Sequence, residues 1–306
     1  MLRSLFSGVS GMKNLQTDLD VVANNIANVN TTGFKSSRVH FADTFSQTIS
    51  SASAPTNGNG GTNAKQVGLG DEIASIDTNM TAGSTQSTGI STDFSITGNG
   101  FFIAKDASTG ESYYTRDGAF ERDSEGNLVN SDGYLIQGVN TTASPMLYSD
   151  YTDSSLTTPT SVSDTSGITI PSTITYNGQS YTFNSFSVDS SGVVTGQYQN
   201  STDTDADSQK FVLGKFSLAT FNNASGLEKQ GSNLYSASNN SGTAIIGDVG
   251  DNGAGTIESG SLEMSNVDLS TEFTNMIIAN RAYQANARVI TTSDDILEEL
   301  VNLKKS

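Results

Sequence analysis

The sequence predicts an α+β protein: long N- and C-terminal helices pairing as a coiled coil, antiparallel β-rich middle domains, and extended linker arms between them. Three observations carry that reading. Apolar residues recur at spacings of three and four at both ends of the chain. The middle is made of short β-type runs separated by Asp-Gly and Gly-Asn turns. Gly/Ser/Asn-rich tracts flank that middle on both sides.

At the C-terminal end the spacing runs through Phe273, Met276, Asn280, Tyr283, Ala287, Ile290, Asp294, Leu297 and Val301, with no Pro or Gly from Val267 onward. A narrow 3-4 stripe asks for a partner helix rather than a broad core. Leu5, Gly8, Met12, Leu15, Leu19, Val22, Ile26 and Val29 supply a matching stripe. Gly8 and Gly11 each cost about 1 kcal/mol of helix propensity relative to Ala, and permit close approach of another helix. The first helix is expected to stop in Asn28-Val29-Asn30-Thr31-Thr32-Gly33, a cluster of turn formers. An amphipathic helix docked on a globular body would show the same stripe, so the pattern alone leaves both options open. Asn280 and Asp294 fall on the stripe itself, where polar residues can fix register or oligomer state.

The chain then divides as follows. Residues 1–34 with 262–306 form the terminal helical domain. Residues 35–72 with 238–261 form the linker arms. Residues 73–140 with 186–237 form the β-rich domain, and 141–185 a small inserted β-lobe or loop. The arms follow from Gly/Ser/Asn/Ala-rich composition between Ser50 and Gly70 and between Ser238 and Gly260, which buries too little apolar surface to fold alone. The β-rich domain follows from Phe101-Phe102-Ile103-Ala104, Tyr113-Tyr114-Thr115 and Tyr134-Leu135-Ile136, with Gly98-Asn99-Gly100, Asp117-Gly118 and Asp132-Gly133 as turns. The insert holds three of the four prolines.

Composition narrows the function classes. The net charge of −17 disfavours nucleic acid, whose phosphates need clustered Lys and Arg. No Cys is present, so disulfide and thiolate chemistry are absent. The N-terminus shows no secretory leader, and no run approaches the roughly 20 apolar residues of a membrane span. His40 is the single histidine and lacks a nucleophile partner in its vicinity. Asp203-Thr204-Asp205-Ala206-Asp207-Ser208 begins like a calcium loop, but Ser208 and Gly214 stand where Gly and Glu are required, so a solvated acidic turn is expected. Gly58-Asn59-Gly60-Gly61 and Gly250-Asp251-Asn252-Gly253 lack the strand–loop–helix context and the Lys of phosphate loops. Asp294-Asp295 and Glu298-Glu299 read as a solvated helix face. No enzyme, cofactor or metal site is expected.

Ala23-Asn24-Asn25-Ile26-Ala27-Asn28-Val29-Asn30-Thr31-Thr32-Gly33-Phe34-Lys35 resembles the N-terminal signature of the bacterial flagellar axial proteins: rod, hook and hook-associated. Gly98-Asn99-Gly100-Phe101-Phe102, Tyr114-Thr115-Arg116-Asp117-Gly118, Asp132-Gly133-Tyr134, Leu262-Glu263-Met264-Ser265-Asn266-Val267-Asp268-Leu269 and Arg281-Ala282-Tyr283-Gln284-Ala285-Asn286-Ala287 continue the likeness. Phe41-Ala42-Asp43-Thr44-Phe45, Val267-Asp268-Leu269-Ser270 and Leu300-Val301-Asn302-Leu303 resemble hook subunits more than rod subunits. The distal rod subunit is the alternative, and a secreted adhesin a rival from another class.

The resemblance implies a structural subunit that leaves the cell through the flagellar type III export apparatus and polymerises with itself into an extracellular tube. The distal rod, the hook–filament junction proteins and the hook cap would be its further partners. It implies that Phe41 and Phe45 form a segment read by the export gate. On this view the assembly interface holds Leu5, Met12, Leu19, Ile26, Phe273, Met276, Asn280, Tyr283, Ala287, Ile290, Leu297 and Val301.

Overall fold

The computed structural model describes residues 2–55, 60–141, 145–152, 156, 159, 161–200 and 208–303. The chain forms an α+β fold of two compact units. The first comprises Met1–Asn28, Ser36–Asn79 and Val267–Ser306; the second comprises Val29–Lys35 and Met80–Asn266.

In the first unit, α1 (Leu2–Ala27) and α2 (Leu269–Leu303) pack side by side in opposite directions. The α1 C-terminus ends where Asn28 turns its side-chain amide back onto the Asn24 carbonyl, 2.9 Å away. At the start of α2, Asp268 accepts from the Ser270 N–H at 3.0 Å and the Thr271 hydroxyl at 2.8 Å, satisfying donors that a helix N-terminus leaves open. These bonds hold the Asp268 carboxyl below the usual range, the Thr271 hydroxyl contributing most. Against α1 lies a hairpin of β1 (Ser37–Asp43) and β4 (Asp71–Thr78), with one register shift between His40 and Phe41. Between them β2 (Ser46–Ser50) and β3 (Lys65–Gly68) form a second hairpin whose residues are all exposed. The expected arm at 35–72 is therefore largely two hairpins, and Ile73 to Thr78 belong with the helices rather than with the β-rich domain. Strand pairing needs backbone partners more than apolar composition, so a Ser-rich segment can still pair.

The second unit is built on a 14-stranded antiparallel sheet among the described residues. Its spine is the strand Gln209–Thr220, buried from Phe211 to Ala219 and paired with Val193–Asn200, Leu135–Asn140, Phe101–Lys105 and Ile245–Asp248. The main core joins Phe94, Phe102, Phe120 and Phe216 through tilted and edge-to-face ring contacts, and Phe211 to Tyr176, Tyr181 and Tyr198 in the same way, all five phenylalanines essentially inaccessible. Burying each such side chain contributes about 1.5–3 kcal/mol. Gly118 is required by close approach, since a Cβ there would lie 1.7 Å from the Phe94 carbonyl oxygen.

Two further expectations differ from the structure. Ile168, Ile170, Ile174 and Tyr181, from the expected insert 141–185, lie in the same core as Phe102 and Phe216. The expected arm 238–261 contributes Ile245–Asp248 to the main sheet and Thr256–Ser259 as partner of Phe94–Thr97, with Ile246, Val249 and Ile257 buried. The reason is shared. A strand laid against an already covered core needs only a few apolar side chains, and averaging over Ser, Thr and Gly conceals them.

Candidate functional site

The helix seam of the first unit is built from small and polar residues. A Cβ on Gly8 would lie 3.2 Å from Ile290, and one on Gly11 2.6 Å from the Asn286 side chain. The Ser4 and Ser293 hydroxyls stand 3.4 Å apart. Further along, Val22, Asn25 and Ala279 are buried. Asn25 also spans the backbone of Ser37, donating to its carbonyl at 2.8 Å and accepting from its N–H at 3.0 Å. Small residues at these positions let two backbones approach closely, as ridge-into-groove packing requires.

The expected stripe and the buried seam do not coincide. Met276, Ile290 and Leu297 are partly buried, but Asn280 and Asp294 are exposed. The seam runs one residue earlier, through Ala279, Asn286 and Ser293. On α1 the same displacement puts Gly11 and Asn25 in the buried line, while Leu5, Met12, Leu19 and Ile26 are only half-buried beside it. A hydrophobic pattern selects the largest apolar side chains, whereas closest helix approach selects the smallest. Phe273, Tyr283 and Val301 remain exposed, Ala287 is half-buried, and Ile277 and Ile278, outside the expected stripe, are each 61% exposed. Phe41 on β1 is 45% exposed and Phe45, just past it, is 92% exposed.

The second unit holds a buried ion cluster that the sequence reading passed over. Glu263 accepts from Lys35 Nζ at 2.6 Å, from Arg116 Nη1 at 3.0 Å and from the Gly83 N–H at 2.9 Å. All three side chains are almost wholly buried. Arg116 also donates to the carbonyls of Ile96 and Gly98, and Lys35 to that of Thr81. Burial pushes the Lys35 ammonium below its usual pKa, and the Glu263 carboxylate holds it partway back. Around the cluster, Thr32 donates to Asp117 at 2.9 Å, and Lys229 lies over the Phe34 ring while donating to the Lys35 carbonyl. Gly33 has φ +66° with its N–H bonded to the Glu263 carbonyl, a left-handed conformation that favours glycine. Any Cβ there would strike the Arg116–Asp117 backbone.

No constellation for chemistry appears among the described residues. No group of acidic or His side chains there could hold a metal ion. His40 faces Asp77 at 3.2 Å on a half-exposed strand pair. The acidic run at Asp203 lies outside the described residues, apart from Ser208. Among the described residues, no helix is long and apolar enough to cross a membrane.

Three family models match the chain: a flagella basal body rod protein model over residues 5–35, a flagellar hook protein FlgE/F/G D1 domain over 95–196, and a flagellar basal body rod FlgEFG protein C-terminal model over 258–303. The chain is 46% identical to the flagellar basal-body rod protein FlgG of Bacillus subtilis over 306 residues, covering 100% of each. It is 34% identical to the flagellar hook protein FlgE of Borreliella burgdorferi, covering 99% of this chain and 100% of that protein. The FlgG of the same organism is 35% identical over 308 residues, again with both chains covered in full. The chain belongs to the flagellar hook and rod protein family. The relatives are named as structural parts of the flagellum and none of these as an enzyme. Each member of the ion cluster comes from a different matched segment: Lys35 from the first, Arg116 from the second, Glu263 from the third. The family's separate sequence blocks thus meet at one buried carboxylate.

Proposed function

We propose that the chain is the structural subunit of the flagellar hook, polymerising with itself into an extracellular tube after type III export. The observation that carries self-assembly is the inversion of size in the helix pair. Glycine, alanine and serine occupy its centre, while Phe273, Ile277, Ile278 and Val301 face outward. Large exposed apolar residues on a long helix are covered by further helices in the assembled state. There α1 and α2 pair as a coiled coil along the inner wall, the outward residues and the expected stripe Leu5, Met12, Leu19 and Ile26 contacting adjacent copies. The assembled copies supply stability that two isolated helices lack.

Hook is preferred to rod because residues 41–45, 267–270 and 300–303 resemble hook subunits more closely. Phe41 and Phe45 then serve as the export-gate segment, a role their exposure supports. The distal rod, the hook–filament junction proteins and the hook cap are the neighbours in this reading. The distal rod subunit is the second reading, favoured by the 46% identity to a FlgG protein along its full length. Electron microscopy of basal bodies from a deletion strain separates the two. Complete rods without hooks support the hook; truncated rods overturn it in favour of the rod.

A further inference from the structure

The first unit contains a groove of about 330 Å³ between α2 and β1, floored by α1. Its walls are apolar at Leu15, Val22, Phe41 and Ile278, yet two carboxylates, Asp18 and Glu272, stand inside it. Burial raises both carboxyls above the ordinary range, and Asp18 adds to the rise at Glu272 by like-charge repulsion. One oxygen of Glu272 is buried with no hydrogen-bond partner. The cation on the walls is Arg38, exposed on β1. Among the described residues neither acid has an ion-pair partner, Arg38 included, so two acids in an apolar groove, one with an unsatisfied buried oxygen, gain from a further cation seated against them.

The same chain carries a surface of the opposite character. Arg3, Phe6, Val9 and Lys13 share one face of the first turns of α1, at spacings of three and four. Phe6 is 71% exposed and Val9 50%. No acid occurs before Asp18, although an acid in the first turn would stabilise a helix N-terminus and Arg3 opposes its dipole. Among the described residues neither Arg3 nor Lys13 has an ion-pair partner.

We propose that the Arg3–Lys13 face of α1 in one copy seats in the Asp18/Glu272 groove of the next, Phe6 entering between Phe41 and Ile278 and the cations meeting the carboxylates. Surface and groove lie at different places on one chain, so the contact is head-to-tail and builds an open filament wherever its rotation does not close into a ring. The proposal rests on the self-assembly reading above and specifies which surfaces carry it.

The test is polymerisation of the purified full-length chain at neutral pH, read by sedimentation and negative-stain electron microscopy. Arg3→Glu with Lys13→Glu makes one double variant, and Asp18→Lys with Glu272→Lys the other. Each alone is expected to need about tenfold more protein to form filaments than the wild type. An equimolar mixture of the two is expected to restore filaments, because each variant's surface then matches the other's groove. Wild-type assembly by either double variant, or a mixture no better than its components, overturns the proposal. Loss of assembly on reversing Arg281 and Arg288, with the α1 reversals harmless, assigns the groove to α2 of the next copy and overturns it as well. A wild-type chain that forms no filaments sinks the self-assembly reading, and the groove contact with it.

Discussion

The two units bury opposite kinds of residue. In the second, Phe94, Phe102, Phe120, Phe211 and Phe216 are sealed in the core, and the buried Glu263 carboxylate is paired with both Lys35 and Arg116. In the first, Gly8, Gly11, Asn25, Ala279 and Ser293 are buried while phenylalanines and isoleucines face solvent. The second unit has the ingredients of independent stability. In the assembly proposed above, the first is completed by neighbouring copies. The contrast teaches that burial of small residues beside exposed large ones marks an interface in waiting, whereas the reverse marks a core.

If that contrast is right, Phe216→Ala should destabilise the second unit by about 3–5 kcal/mol in denaturant unfolding, because the surrounding rings cannot collapse into the space. The helices' exchange protection should be unchanged, and loss of both together would mean that the units are not separate. Glu263→Ala should cost a similar 3–5 kcal/mol, since it strands Lys35 and Arg116 as buried charges. A loss under about 1 kcal/mol would show the cluster to be hydrated rather than sealed.

Gly11→Leu tests the other side. Its side chain would meet Asn286, so the helix pair should lose about 1–3 kcal/mol with the melting of the second unit unaltered. Amide exchange on monomer should show α1 and α2 opening well before the strand Gln209–Thr220, and equal protection would contradict the division.

The smallest effect concerns pH. Burial raises the Glu272 and Asp18 carboxyls, whereas in the unfolded chain they titrate near about 4. Between those limits the folded helix pair binds more protons than the unfolded one. Its stability therefore rises as pH falls through the folded pKa, and the gain is complete below the unfolded value. The monomer's helical signal should strengthen modestly from pH 7 toward pH 4, and Glu272→Gln should flatten that trend. A helical signal falling over that range would oppose the burial assigned to these carboxylates.

The sequence by itself determined both helices, the end of α1 at the Asn28–Gly33 turn, the hairpin turn at Asp132-Gly133, and a turn at Gly98-Asn99-Gly100, although the strands flanking the latter pair elsewhere rather than with each other. Each is encoded within a few neighbouring residues: a 3.6-residue periodicity, a cluster of turn formers, a glycine that tolerates positive φ. It also carried the family likeness. What it left open was decided by contacts between residues distant along the chain. Ile246 and Ile257 look isolated in a Gly-rich tract and become core only because strands from positions 94–97 and 209–220 cover them. Lys35, Arg116 and Glu263 have nothing in local sequence to mark them as partners, since 228 residues separate the first from the last. The seam through Gly11, Asn286 and Ser293 escaped the apolar pattern for the same reason. Which face of a helix is innermost depends on how closely the other backbone approaches, and that distance is a property of the folded pair.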